Sequence, residues 1–232
     1  SPNVKKNRIE IFAKAMGVRE WRLRRLHGYL PAYRVRADET SDAKSYLSKV
    51  NPQGLPVLGV QPFAADTYRN WPMMEQFVLQ AAKDRLILLF HHERLDGFDH
   101  PNVVKVVRPI RQSIALASLC ERLLVLDSSF LHIAAAIRVP TVVIFGAISG
   151  ELRVKRYPNV QLLAPIKAQF PCYPCWRHEY KPCHLTQGRE SICFRSISIA
   201  QVFEALARSP AEWRQDPSFW QRIHRWIFFG HA

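Results

Sequence analysis

No apolar run in this 232-residue chain approaches the roughly 20 residues that span a bilayer. The opening Ser1-Pro2-Asn3-Val4-Lys5-Lys6 lacks the apolar segment of a secretory signal, so the cytoplasm is the expected compartment. Internal repeats and low-complexity tracts are absent as well. With 48% apolar, 11% aromatic and 22% charged residues, disordered, collagen-like and coiled-coil classes are excluded. The length suits one large domain, or one domain with a fragment of another. Acidic residues are scarce: 19 Asp and Glu stand against 33 Lys and Arg, a net charge of +14. The first 36 residues hold ten of the basic residues against only Glu10 and Glu20. Such a surface favours phosphate-bearing partners, whether nucleic acid, anionic lipid or phosphorylated saccharide.

Residues 5–16 read as a short helix, because Ile9, Phe12, Ala13 and Met16 share one face and Gly17 stops it. The segment 19–52 is basic, rich in turn formers and without a clear period. Strand-length apolar runs follow at Val57–Val60, Leu86–Phe90, Val103–Val107, Leu123–Leu126 and Thr141–Phe145. Helical patterns lie between most of them, over Pro72–Lys83, Ile110–Arg122 and Ser129–Arg138. Apolar strands alternating with helices predict an α/β fold with a parallel sheet and right-handed crossovers. Past Gly146 the pattern gives way to a cysteine-containing loop, a helix starting near Ser198, and an amphipathic helix over Pro217–Phe229.

In an open parallel sheet, ligands bind at the carboxyl ends of the strands. The first run is followed by Ala64, Ala65 and Arg69, the second by His91-His92-Glu93-Arg94, the fourth by Asp127-Ser128-Ser129 and His132, and the fifth by Gly146. Arg69 suits a phosphate, Glu93 or Asp127 can accept from ribose or sugar hydroxyls, and the amides of Ser128 and Ser129 open a helix where an anion can bind. Plainer roles compete. Asp127-Ser128 can be only a helix cap, His132 a core histidine, and Arg69 a solvated loop residue.

Five cysteines in a chain read as cytoplasmic point to thiols or metal ligands before disulfides. Cys172, Cys175, Cys183 and Cys193 are separated by two, seven and nine residues, within a loop punctuated by Pro171, Pro174, Pro182 and Gly188. A two-residue knuckle followed by a returning loop is what tetrahedral thiolate coordination of zinc or iron requires. Disulfides and free thiols are the alternatives. His178 and His184 are spare ligands or surface residues, and Cys120, inside an apolar helix, belongs to the core.

Three segments together resemble the C-terminal half of glycosyltransferase family 9, which contains the ADP-heptose:lipopolysaccharide heptosyltransferases. They are Gln61-Pro62-Phe63-Ala64-Ala65 with Arg69-Asn70-Trp71-Pro72; Leu126-Asp127-Ser128-Ser129-Phe130-Leu131-His132-Ile133-Ala134-Ala135-Ala136 with Pro140 to Gly146; and Cys172-Tyr173-Pro174-Cys175. The resemblance covers roughly residues 52–208. It implies the second Rossmann-like lobe of a two-lobed GT-B glycosyltransferase, the lobe that binds the sugar nucleotide. By the same resemblance Ala64, Ala65 and Arg69 hold phosphates, Asp127, Ser128 and His132 contact donor sugar and pyrophosphate, and Glu93 faces the nucleoside. Similar cysteine loops occur in the family, and the branch that heptosylates autotransporter proteins carries iron in one. Phe63 stands where the family often has glycine, Ser129 where it has glycine, and Ala147-Ile148-Ser149 where it usually reads Pro-Thr-Asp.

The expected organisation is a basic linker or remnant of an N-terminal lobe over 1–52, a sugar-nucleotide-binding domain over 53–208 with its cysteine loop at 170–196, and a C-terminal helix over 209–232. The expected function is the donor lobe of a hexosyl- or heptosyltransferase, with an ADP-sugar as donor and ADP-heptose first among them. Its acceptor would be a lipopolysaccharide core or a protein. The acceptor lobe and catalytic base would come from an N-terminal lobe or a partner chain, with peripheral contact at the inner membrane. Two other readings stand beside it: a nucleic-acid-binding protein using the cysteine knuckle and basic N-terminus, the less favoured partner class, and a non-catalytic sugar-nucleotide module.

Overall fold

A computed structural model of the chain describes residues 6–19, 21–22, 31–178, 180–209 and 211–212. The helix expected over 217–229 lies outside the described residues. Six strands, β1 (Val57–Val60), β2 (Leu86–Phe90), β3 (Val103–Val106), β4 (Arg122–Leu126), β5 (Thr141–Ile144) and β6 (Val160–Leu163), form one sheet in the order β3-β2-β1-β4-β5-β6. Every pairing is parallel. The helices are α1 (Arg8–Ala15), α2 (Ala37–Val50), α3 (Met74–Ala81), α4 (Ile110–Ala117), α5 (Ser129–Ile137), α6 (Gly150–Val154) and α7 (Ile199–Ala207). No helix among the described residues is long and apolar enough to cross a membrane.

Alternate residues of a strand face opposite sides of the sheet, and both sides here are covered. Leu88, Phe90, Leu123, Val125 and Val143 pack with α4 and α5, while Ile87, Leu89, Leu124, Leu126 and Val142 pack with α3 and α7. Two buried faces explain why the strands read as continuous apolar runs. Gly59 lets the β1 backbone approach its neighbours: a Cβ there would come within 2.4 Å of Leu123 and 2.9 Å of Cys120 Sγ. Burial pushes the Cys120 thiol far above its ordinary pKa, which fits a core residue.

Three elements differ from the sequence expectation. The helix expected to run to Arg122 ends at Ala117, because Leu119 and Cys120 turn back onto Leu116 and Ala117 and Arg122 already pairs with Leu58 in the sheet. In the stretch without a clear period, α2 forms with only Ala43 buried. It is polar on most sides, and Tyr46, Leu47 and Val50 rest half-buried on the core. β6 is an edge strand, Val-Gln-Leu-Leu, of which only Val160 is buried.

Candidate functional site

The strand order reverses between β1 and β4, and the carboxyl ends of these strands flank the crevice in which such folds bind ligands. Gln61, directly after β1, joins the two ends. Its Oε1 accepts from the Ser128 hydroxyl at 2.9 Å and the Leu126 amide at 3.4 Å. Ser128 in turn caps α5, its Oγ accepting from the Phe130 amide at 3.1 Å. The capping role is therefore real, and it fixes the helix start at the crevice.

Beside this junction is a cavity of about 380 Å³, within the size range of small-molecule sites. Four strand ends line it: Phe63, Ala64, Ala65 and Arg69 after β1; His91 and His92 after β2; Arg108 and Ile110 after β3; Ser128, Ser129 and Phe130 after β4. No carboxylate lines it among the described residues. Its walls are aromatic, with Phe90 stacked on Phe130 at 5.0 Å and Phe63 edge-on to His91 at 6.3 Å. Arg108 is held at the rim by the Tyr46 ring, 4.1 Å beneath its guanidinium.

Arg69 is an engaged cation. It pairs with Asp66, and its Nη1 donates to the Asp127 carbonyl at 2.7 Å. Its turn, Thr67–Arg69, is braced from the cysteine loop: the Ser191 hydroxyl donates to the Tyr68 carbonyl at 2.7 Å, and the Arg177 guanidinium lies 5.3 Å over the Tyr68 ring. Arg177 is itself buried, donating to the carbonyls of Gly188, Arg189 and Glu190.

The structure thus brings Ala64, Ala65, Arg69, Ser128 and Ser129 together at one cavity. Asp127 and His132 sit just beyond it, toward β5. Burial raises the Asp127 pKa, opposed by Arg153, Arg69, His132 and Arg8. His132 Nδ1 lies 2.6 Å from the Tyr157 hydroxyl, and burial, Arg153 and Arg8 hold its pKa below the ordinary histidine value against the pull of Asp127. Glu93 is turned outward, its side chain 75% exposed and 3.6 Å from His92. Gly146 is a packing position: a Cβ there would come within 2.3 Å of the Phe194 ring.

Cys172, Cys175, Cys183 and Cys193 are all free thiols on one loop. Burial and the nearby Cys175, Cys172 and Cys183 push Cys193 up to about 12. Burial is the largest influence on Cys183, but hydrogen bonds from the Leu185, Ile192 and Thr186 amides and the Thr186 hydroxyl together outweigh it and hold that thiol below its ordinary value. The sulfurs share one electrostatic neighbourhood. Among the described residues, however, no three His, Cys, Asp or Glu side chains are grouped so as to hold a metal ion.

Sequence reading passed over Arg108, Arg153, Tyr157 and Arg8. Arg108 directly follows the third strand run, so applying the strand-end rule there would have found it. The others reach the crevice through tertiary contacts with no local signal.

No protein-family model matches the sequence, and no curated protein does either. Solved structures do match. The Escherichia coli ADP-heptose lipopolysaccharide heptosyltransferase II superposes with a TM-score of 0.55 at 18% identity, over 81% of this chain and 54% of that one. A glycosyltransferase of family 9 from Veillonella parvula gives 0.55 at 16% identity, over 75% of this chain and 52% of that one. The iron-containing dodecameric glycosyltransferase TibC of enterotoxigenic E. coli gives 0.50 at 18% identity, over 82% and 50%. The fold is shared with about half of each of these glycosyltransferase structures. The chain spans about half the length of each of these three structures.

Proposed function

We propose that this chain is the donor-binding half of a family 9-type glycosyltransferase, and that residues 53–208 bind a nucleoside diphosphate sugar, with ADP-heptose the leading candidate. The observation that carries the proposal is a cavity at the switch point, lined from four strand ends by aromatic and cationic groups with no carboxylate among the described residues. Aromatic walls suit a base. The start of α5, with its partial positive charge, suits a diphosphate. In a transfer reaction the bond from the anomeric carbon to the diphosphate breaks as the acceptor oxygen attacks. Arg69, Arg108 and the α5 terminus stabilise the negative charge that builds on the departing nucleoside diphosphate. The acceptor, a lipopolysaccharide core or a protein, would dock on residues beyond this cavity. Co-crystallisation with ADP tests the placement. The diphosphate is expected against Ser128 and Ser129 with the base between Phe63 and Ile110, and ADP found elsewhere on the chain would refute it.

We also propose that the four loop thiols take up one thiophilic ion, zinc or iron, with a structural role. The support is their spacing along one loop and their free thiols. The loop would have to tighten on the ion. Elemental analysis of protein purified without chelator is expected to give about one zinc or iron per chain, lost in Cys175→Ser while the sheet stays folded. Metal-free protein with four alkylatable thiols would overturn this.

A further inference from the structure

On the far side of Asp127 from the cavity, two more arginines converge from segments distant in sequence. Arg153 belongs to α6, after β5, and Arg8 opens α1. The contact between the helices places them together. Asn7, buried at the α1 cap, donates through Nδ2 to the Leu152 carbonyl at 2.6 Å, and Glu10 accepts from Arg156 at 2.9 Å. These bonds use the residues on either side of Arg8 and Arg153 but not those two guanidiniums. Neither side chain has a hydrogen-bond or ion-pair partner among the described residues, and Arg153 Nε is buried without one. Asp127 is near enough to influence Arg153 but bonds to neither arginine. Arg69, the third guanidinium nearby, is already matched by Asp66.

Arg153, half-buried with its Nε unsatisfied, is costly to keep without a partner, and the planar fork of either guanidinium fits the oxygens of a phosphate. We propose that Arg8 and Arg153 form a second anion site, of the phosphate class, beside His132, and that it is filled by a group other than the diphosphate of the nucleotide in the cavity. Arg8 is exposed, and part of the His132 ring reaches solvent although its surroundings are packed, so the site opens to solvent. Asp127 at its edge is placed to accept from a hydroxyl on the carrier of that phosphate. The site stands on its own residues; only its independence from the nucleotide rests on the proposed function.

His132 is a built-in reporter. Its ring faces Asp127, Arg153, Arg8 and the Tyr157 hydroxyl, and the two arginines act to lower its pKa. An anion seated on them must raise it. The experiment follows the His132 ring by NMR in the full chain, assigned by its loss in His132→Gln, while inorganic phosphate is titrated with and without saturating ADP. The expected result is a saturable rise of about 0.5–1 pKa unit, the same with ADP present and lost in Arg153→Gln. Arg8→Gln, on an exposed position of α1, is expected to lose the response too and guards against a folding defect at Arg153. A His132 pKa indifferent to phosphate overturns the proposal. So does a rise that ADP alone produces and phosphate cannot add to, in which case the nucleotide reading survives and this one fails. A phosphate response in a chain that does not bind ADP upholds this site and removes the nucleotide reading instead.

Discussion

The two halves of the crevice use their polar groups in opposite ways. On the β1 side nearly every such group is engaged: Gln61 with Ser128, Ser128 with Phe130, Arg69 with Asp66 and the Asp127 carbonyl, and the Ala64 amide with Asn70 Oδ1 at 2.8 Å. On the β5 side Arg8 and Arg153 have no partner, and the Asp127 carboxylate accepts no hydrogen bond among the described residues. The difference separates framework from reserve. Engaged groups hold the cavity's shape before a ligand arrives, whereas Arg153 and Asp127, half-buried without partners, keep a desolvation penalty that a ligand can relieve.

Substitutions can break this contrast. Arg69→Ala should have the largest effect. It removes charge-assisted bonds from the framework and should lower unfolding stability by about 1.5–3 kcal/mol, measured by urea denaturation, in addition to weakening nucleotide binding. The pH dependence comes next. Because the folded His132 pKa lies below its ordinary value, the unfolded chain takes up a proton that the native chain refuses, so stability falls as pH drops through the ordinary histidine range toward the folded pKa. Urea midpoints at about pH 7.5 and about pH 5.5 should differ less in His132→Gln than in the wild type, by a fraction of a kcal/mol. Arg153→Gln should be the mildest: no bond is lost and a half-desolvated charge is removed, so stability should hold or rise by less than about 0.5 kcal/mol. A large loss there would show that Arg153 belongs to the framework after all.

How far the sequence discloses this arrangement depends on the range of the interactions. Strands buried on both faces announce themselves as apolar runs, so Val57–Val60 and Leu86–Phe90 are legible to the residue. The Ser128 cap is legible because its bond spans two residues. Arg69 is legible as a cation near phosphate-binding groups. Its pairing with Asp66 was open to view in the same turn, but nothing local decides between a free and a matched guanidinium. The Arg8–Arg153 neighbourhood is opaque, since it depends on Asn7 meeting Leu152 across 145 positions. Helix α2 escapes because its contacts come from the small buried Ala43 and three half-buried residues in an otherwise polar sequence, and Gly146 reads as a ligand-facing turn until Phe194 is seen against it.

The central claim is that the framed half of the crevice binds a nucleoside diphosphate. Calorimetric titration of the chain with ADP tests it most directly, run beside Arg69→Ala. The account predicts saturable binding by the wild type and an affinity reduced about tenfold or more in the variant. A folded wild-type protein that gives no binding heat and no ADP-dependent rise in melting temperature would contradict it.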